Sequence, residues 1–351
     1  MKPVLFVTGH VPADRAPAFE QLHARVGIEL ALYGGRHLHG APPGAPPASV
    51  PHRFVEQREV GALVRSGAYR TIVAGTGGRV ALPTAWRASQ SAGVPFVFWA
   101  ALWRTPRTAA HLAALPMLRS IYRRAAAIVT YGEHVSAYVR RHGAQRVFVA
   151  PQAVDNEFWS APATPRGDQR FAALFVGRDA REKGLAVALE AWGRARLDAT
   201  LTLVGDLRVE TPPGVVNAGA LAPTQLRNFY AGCDVLVVPS ISTRRFIEPW
   251  GLVVNEAMNQ GAAIIASDAV GAAAGGLVRE GRNGLIVRER DPAALAHAMA
   301  SLAGDRERCR ALGAQGRADV AAYTFERWAD AFARALETVA LQSSSAGSVG
   351  R

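Results

Sequence analysis

The sequence lacks the features that would place this chain outside the cell or across a membrane. Its two cysteines, Cys233 and Cys309, are too few for a disulfide framework. No apolar run approaches the roughly 18 residues that a membrane-spanning helix requires. The apolar opening over residues 1–9 is too short for a secretory signal peptide, and we expect it to form a first strand. These absences predict a cytoplasmic protein.

Acidic residues are scarce in one half of the chain only. Residues 1–150 hold 18 Lys and Arg against 6 Asp and Glu, whereas residues 151–351 hold 22 of each, so the net charge of +12 belongs to the first half. An Arg-rich genome would explain why Lys2 and Lys183 are the only lysines, but it would not remove acids from one half. We therefore expect an anionic partner for the first half.

Three kinds of anionic partner fit such a field: a phospholipid surface, an acidic acceptor or nucleic acid. Nucleic acid is the least favoured of the three, because the basic half lacks a regular pattern of interleaved aromatic residues. The densest basic group, Arg119, Arg123 and Arg124, lies on the segment after Pro106. We expect this group to contact the inner face of a membrane peripherally.

Strand-like apolar runs alternate with helix-like segments along the chain, which predicts parallel α/β layers. Its 351 residues suffice for two domains. We expect one α/β domain at 1–155, a linker at 156–170 and a second α/β domain at 171–323. A helix at 324–342 is expected to cross back to the first domain, and a tail at 343–351 is expected to be disordered.

One stretch in the second half organises the functional prediction. The apolar run 235–238 predicts a buried strand, and a short helix is predicted over 251–260. The first amides of that helix, Gly251, Leu252 and Val253, have no carbonyl four residues back and suit an anion such as phosphate. Gly251 also lets a ligand approach the backbone closely.

Two carboxylates flank this helix start. Glu248 precedes it and Glu256 lies inside the helix. A solvated loop acid and a helix acid favoured by the dipole would explain them individually. Carboxylates accept hydrogen bonds only, so together they would also suit the hydroxyls of a sugar or a ribose.

A second constellation begins at Gly177 and places Arg178 and Lys183 after a predicted strand and before a helix. Open α/β sheets bind ligands at that end of their strands. A guanidinium and an ammonium five residues apart could converge on a pyrophosphate, although surface charges on a loop are the simpler explanation when this segment is taken alone.

These stretches resemble known motifs. Glu-Pro-Trp-Gly-Leu with a second Glu eight positions after the first resembles the Glu-x7-Glu signature of retaining family 4 glycosyltransferases, a family of glycosyl transferases group 1. Gly-Arg…Glu-Lys-Gly-Leu resembles the phosphate-binding segment of that family. The resemblance covers roughly 171–290. It implies the GT-B fold: two facing Rossmann-like domains, each a parallel sheet with helices on both faces.

The resemblance also implies roles. Glu248, which would contact the donor sugar, and the diphosphate-binding Arg178 and Lys183 form the expected catalytic set. Glu256 is expected to hold the ribose of the nucleotide. The remaining donor-binding residues expected by this resemblance are Gly251, Leu252, Val253, Gly177 and Gly9.

In the first half the resemblance is weaker. Gly9 corresponds to a glycine-rich turn, but the usual paired glycines are absent. Many members carry a His after the strand equivalent to 95–99, and this sequence has none there. His10 and His111 are therefore the two acceptor-side candidates, with a helix-surface imidazole the simpler interpretation of His111.

The predicted function is a glycosyltransferase of the hexosyltransferase type, moving a sugar from a nucleotide-diphosphate sugar to an acceptor hydroxyl with retention of configuration. No cofactor and no metal are expected, because fixed cations could replace a divalent ion and His37 and His39 lack companion ligands. The alternatives are a nucleotide-sugar isomerase on the same fold and a non-enzymatic basic scaffold that binds anions.

Overall fold

The computed structural model describes residues 2–34, 49–164 and 170–348, with side chains up to residue 342. The first half forms a seven-stranded sheet in which every pairing is parallel, in the order β3-β2-β1-β4-β5-β6-β7. Its strands are β1 (Val4–Thr8), β2 (Ile28–Leu32), β3 (His52–Phe54), β4 (Thr71–Gly75), β5 (Phe96–Ala100), β6 (Ala127–Thr130) and β7 (Val147–Val149).

Helices connect these strands: α1 (Ala16–Val26), α2 (Val60–Arg65), α3 (Ala81–Ala92), α4 (Ala109–Arg124) and α5 (Glu133–Arg141). Successive strand residues point to opposite faces of the sheet, so both faces are apolar. In β1, Leu5 and Val7 join a core with α2 to α5, whereas Phe6 meets Phe19 of α1 on the other face.

The second half forms a six-stranded parallel sheet in the order β10-β9-β8-β11-β12-β13. Its strands are β8 (Phe171–Val176), β9 (Ala199–Val204), β10 (Val215–Asn217), β11 (Val235–Val238), β12 (Ala263–Ser267) and β13 (Gly284–Val287). The helices are α6 (Asn156–Ser160), α7 (Leu185–Ala195), α8 (Pro223–Gly232), α9 (Leu252–Asn259), α10 (Gly271–Ala274), α11 (Pro292–Gly304) and α12 (Arg306–Val320). The predicted α/β fold of two parallel sheets with helices on both faces is confirmed.

The last helix, α13 (Phe325–Ser348), belongs to the first unit of the chain. It packs along α1, and the buried rings of Trp328 and Phe332 contact each other at 4.5 Å. The helix continues through most of the tail that we predicted to be disordered. Ser and Ala are compatible with helix, so a long packed helix can extend through them once its earlier turns are fixed. Residues 349–351 lie outside the described part of the chain.

Contacts divide the chain into two units. The first comprises residues 1–105, 109–152 and 325–351, and the second comprises 106–108 and 153–324. The segment predicted as a linker contains α6, whose first turn is capped because the Asp155 side chain accepts a hydrogen bond from the Phe158 amide at 3.0 Å. A regular helix therefore replaces the irregular connection expected at 156–160.

No helix among the described residues is long and apolar enough to cross a membrane.

Candidate functional site

The candidate site lies at the carboxyl ends of β8 and β11, which are neighbours in the second sheet. The chain leaves β8 toward β9 on one side and leaves β11 toward β12 on the other. Two loops that diverge in this way open a crevice at the edge of the sheet, which is where open α/β folds bind ligands. The two motif stretches of the sequence analysis are these two loops.

An ion pair joins the loops. Lys183 Nζ lies 2.5 Å from Glu248 Oε2, and the two side chains are 21% and 10% exposed. Both residues were predicted to be catalytic from separate motifs 65 positions apart, and the structure brings them into direct contact. The pair therefore places two opposite charges side by side in a position that is largely shielded from solvent.

The backbone also holds the two loops together. The Ile241 amide donates to the Glu182 carbonyl at 2.8 Å. Gly184 has a φ of 71°, and a Cβ at this position would overlap the Pro239 carbonyl oxygen. Only glycine meets both conditions, which explains the Gly that follows Lys183 in the motif.

Helix α9 begins directly after a glycine, Gly251. Gly251 has a φ of 94° and is the N-cap residue, so the helix begins one residue later than predicted. The Val254 amide donates to the Gly251 carbonyl at 3.0 Å, which leaves the half-buried Leu252 and Val253 amides at the open end of the helix. A buried bond from Trp250 Nε1 to Asn255 Oδ1, at 2.8 Å, fixes the helix entry.

The second carboxylate, Glu256, is half-buried and has a buried partner. Tyr230 of α8 is fully buried, and its hydroxyl donates to Glu256 Oε2 at 2.7 Å. Burial raises the pKa of Tyr230 well above its ordinary value, and the nearby Glu256 charge raises it further. The motifs did not reveal this tyrosine, since the two residues are 26 positions apart and come from different helices.

Residues that follow β13, two strands away from β11, also hold the loop that carries Glu248. The Ser242 amide and hydroxyl each donate to the Glu289 carboxylate at 2.5 Å, and Arg290 donates to the Ser242 carbonyl. Glu289 and Arg290 follow β13, where no motif drew attention to them. Through Ser242, these two residues hold the loop between β11 and α9 in place.

Arg178 and Gly177 follow β8 directly. The Gly177 amide donates to the Val204 carbonyl at 3.0 Å, which keeps the start of this loop on the sheet. Arg178 is exposed. It stands at the same sheet edge as Lys183, but no hydrogen bond fixes its guanidinium among the contacts that the structure describes.

The remaining predicted site residues belong to the first unit. Gly9 follows β1, where its carbonyl accepts from the Gly34 amide at 2.7 Å, and its φ lies outside the left-handed region. His10 comes next and is half-buried. His111 is half-buried near the start of α4.

The edge of the first sheet holds an imidazole that the sequence analysis did not select. His134 stands at the start of α5, and its ring meets Trp103 edge-on at 5.3 Å. Trp103 follows β5, the strand after which the resemblance led us to look for a His. A helix-start position after a strand was the signal that could have identified it.

No group of three or more metal-ligating side chains occurs among the residues with described side chains. His37 and His39 lie outside that part of the chain.

Residues 170–305 match the family model of glycosyl transferases group 1. The resemblance predicted from the motifs is therefore confirmed over most of the second unit.

Two curated relatives are similar in sequence. A D-inositol 3-phosphate glycosyltransferase of Nocardia farcinica is 33% identical over 138 residues, covering 39% of this chain and 29% of that protein. An alpha-maltose-1-phosphate synthase of Mycolicibacterium smegmatis is 31% identical over 207 residues, covering 49% of this chain and 51% of that protein. The chain thus spans about half or less of the length of these relatives.

Solved structures agree over nearly the whole chain. HepE of Anabaena, in complex with UDP, superposes with a TM-score of 0.76 at 17% identity, covering 96% of this chain and all of that one. Its complex with UDP and glucose gives a TM-score of 0.73. At this identity the match establishes the fold.

Proposed function

We propose that this chain, whose residues 170–305 match the family model of glycosyl transferases group 1, transfers a sugar from a nucleotide-diphosphate sugar to an acceptor hydroxyl. The observation that carries the proposal is the Lys183–Glu248 pair at the diverging ends of β8 and β11. In this proposal Lys183 binds the diphosphate of the donor, and the adjacent Glu248 carboxylate accepts hydrogen bonds from hydroxyls of the sugar. The UDP complexes of HepE support a nucleotide sugar as donor.

Lys183 serves both partners in this proposal. An ammonium has three N–H donors, so it can keep its bond to Glu248 while it donates to a diphosphate oxygen. Glu248 then accepts from hydroxyls of the donor sugar. The pair thereby sets the position of the sugar relative to the bond that breaks, which is a positioning contribution to the rate.

Bond cleavage develops negative charge on the leaving diphosphate. Lys183, Arg178 and the open amides of α9 are positive groups at the crevice edge, and they would stabilise this charge more in the transition state than in the ground state. The exposed Arg178 side chain can turn toward the diphosphate without breaking a described bond. These positive groups could stabilise the leaving diphosphate in place of a divalent metal ion. We therefore propose that the transfer does not depend on a metal. Family 4 resemblance supports retention of configuration.

We assign the acceptor to the first unit, with His10 and His111 as candidate acceptor-side residues. The exposed arginines of α4, Arg119, Arg123 and Arg124, support contact with an anionic membrane on its cytoplasmic face. The first half of the same helix exposes Leu112 to 53%, which suits the boundary between headgroups and acyl chains.

The test is turnover of a panel of nucleotide sugars with hydroxyl acceptors, including lipid acceptors in vesicles, followed by NMR of the anomeric proton of the product. We expect an acceptor-dependent release of nucleoside diphosphate and an unchanged anomeric configuration. Turnover of Arg178→Ala should be at least about tenfold lower than that of the wild type, because the substitution removes a charge-assisted hydrogen bond. Excess chelator should leave turnover unchanged.

Acceptor-independent interconversion of the sugar would identify an isomerase instead. Failure to bind any member of the panel would favour a non-enzymatic scaffold. Activity that disappears with chelator and returns with magnesium or manganese would contradict the assignment of the cations.

A further inference from the structure

We propose that Tyr230 is a positioning residue for the ribose of the donor nucleotide, because its hydroxyl holds the Glu256 carboxylate in the orientation that accepts the ribose hydroxyls. The inference rests on the proposed function, in which Glu256 binds the ribose. It adds a specific residue, on a different helix, to the recognition of the ribose.

The geometry of Tyr230 is fixed from several sides. Its hydroxyl lies 2.7 Å from Glu256 Oε2, and its ring is fully buried on α8. The Trp159 indole packs edge-on against that ring, with centroids 5.6 Å apart. A phenol held in this way cannot follow a moving carboxylate, so it constrains the carboxylate instead.

The helix under Glu256 is equally constrained. Asn255 precedes it and is bound by the Trp250 indole, and Asn259, one turn later, donates to Asn156 Oδ1 at 2.9 Å. The backbone of Glu256 is therefore fixed. The bond from Tyr230 restrains the side chain at one carboxylate oxygen.

The direction of this hydrogen bond is also determined. Burial raises the pKa of Tyr230, so the phenol keeps its proton and donates. The ionised carboxylate can only accept. A ligand hydroxyl is likewise a donor, so the same carboxylate can accept from Tyr230 and from a ribose without reversing any bond. Glu256 is half-buried, which leaves part of it accessible to such a ligand.

The chain offers a matched control in its first unit. Tyr69 is also buried, and its hydroxyl donates to Glu29 Oε1 at 2.9 Å. Burial raises the pKa of Tyr69 to about 12, so its hydroxyl also stays protonated. Tyr69→Phe therefore removes the same kind of bond as Tyr230→Phe, at a position with no role in the proposed site.

The experiment is calorimetric titration of the wild-type chain, Tyr230→Phe and Tyr69→Phe. The probes are UDP, GDP and ADP, and then the 2′-deoxy and 3′-deoxy counterparts of the one that binds most tightly. We expect loss of a ribose hydroxyl to weaken binding to the wild type. Tyr230→Phe should bind the ribonucleotide roughly tenfold more weakly and should lose most of its discrimination against the deoxy compounds. Tyr69→Phe should match the wild type.

Each further outcome decides the inference. Wild-type affinity and wild-type discrimination in Tyr230→Phe would overturn it. Equal weakening of ribo- and deoxynucleotides would also overturn it, since Tyr230 would then support the site without acting on the ribose. In a Glu256→Gln background, Tyr230→Phe should add little further loss, and an undiminished loss there would contradict the coupling. If the wild type binds none of the three diphosphates, the proposed function itself fails, which is a different result from an unaffected variant.

Discussion

The two units share a sheet topology but differ in the loops that leave their strands. In both sheets the first strand of the unit lies at the point where the strand order reverses, β1 beside β4 and β8 beside β11. In the first unit, Gly9 and Gly75 end these strands. In the second unit the same positions lead into Gly177 and Pro239, and the loops beyond them carry the Lys183–Glu248 pair.

The two units also differ in the balance of their charges. The second unit balances its charges and pairs several of them: Lys183 with Glu248, Arg306 with Asp234 and Arg282 with Asp319. The first half of the chain carries the excess of 18 basic over 6 acidic residues, much of it on exposed arginines. One fold thus supports a charge-paired ligand crevice and a positively charged surface, because function depends on loops and side chains more than on the sheet.

The largest effect should come from the helix that belongs to the first unit. Trp328 is fully buried against Phe19 and Phe332. Trp328→Ala should lower the free energy of unfolding by about 3–5 kcal/mol, since it removes a large side chain from a packed core. Urea denaturation measures it, with the exposed Arg334→Ala on the same helix as control. A loss below about 1 kcal/mol would mean that α13 contributes little to the first unit.

A smaller effect is expected at Glu248. Glu248→Gln keeps the shape of the side chain but removes its charge, and we expect kcat/KM to fall by at least about tenfold, or ~1.5–3 kcal/mol, while affinity for the nucleoside diphosphate persists. Steady-state kinetics and calorimetry on one preparation separate the two quantities. Arg194→Ala, which breaks the exposed pair with Glu190, is the control. Normal turnover in folded Glu248→Gln would exclude Glu248 from the reaction.

We expect the stability of the second unit to depend on pH through Asp319. Hydrogen bonds from Arg282, Asn283 and Gln315 lower the pKa of its carboxyl to about 2, from an ordinary value of 3.8. The pKa is lower in the folded state, so the stabilisation is complete above pH 3.8 and disappears as the pH falls through 2. It amounts to about 2 kcal/mol.

Asp319→Asn should therefore melt lower than the wild type at neutral pH and converge with it between pH 4 and 2. Asp330→Asn, which alters an exposed pair with Arg25, should show a much smaller difference at neutral pH. A wild-type advantage that stays constant from pH 7 to pH 2 would show that the charge of Asp319 is not the cause.

The smallest effect concerns the positive surface of the first unit. Arg119→Ala should weaken binding to anionic vesicles by about 1 kcal/mol, and the attraction should fade as salt shortens the Debye length below roughly 8 Å. Sedimentation with neutral and anionic vesicles at two salt concentrations measures this. Arg194→Ala, an exposed arginine of the second unit, should bind as the wild type does. Wild-type protein that stays in the supernatant with anionic vesicles at low salt would contradict membrane contact.

Most of the fold could be predicted because buried parallel strands are short apolar runs between helix signals. The bounds of β11 agree residue for residue with the strand predicted over 235–238. The prediction missed β3, since its three residues are all exposed and show no apolar run. No local pattern predicted α10 either, because Gly271–Ala274 forms this helix against the Pro249 backbone, a contact that only tertiary structure reveals.

The candidate site was predictable as a set of residues but not as a set of contacts. The motifs identify Lys183 and Glu248 separately. Their ion pair depends on the adjacency of β8 and β11, which local patterns do not specify. The same is true of Tyr230 with Glu256, because a buried tyrosine on an amphipathic helix looks like any core residue until its hydroxyl is seen beside a carboxylate.

The most direct test of the central claim is the affinity of the second unit's crevice for a nucleoside diphosphate. UDP, GDP and ADP should be titrated calorimetrically into the wild-type chain, Lys183→Ala and the control Arg194→Ala. We predict that at least one of them binds the wild type and the control equally, and that its Kd rises about tenfold or more in Lys183→Ala. Equal affinity for the wild type and a folded Lys183→Ala chain would contradict the placement of the diphosphate beside the Lys183–Glu248 pair.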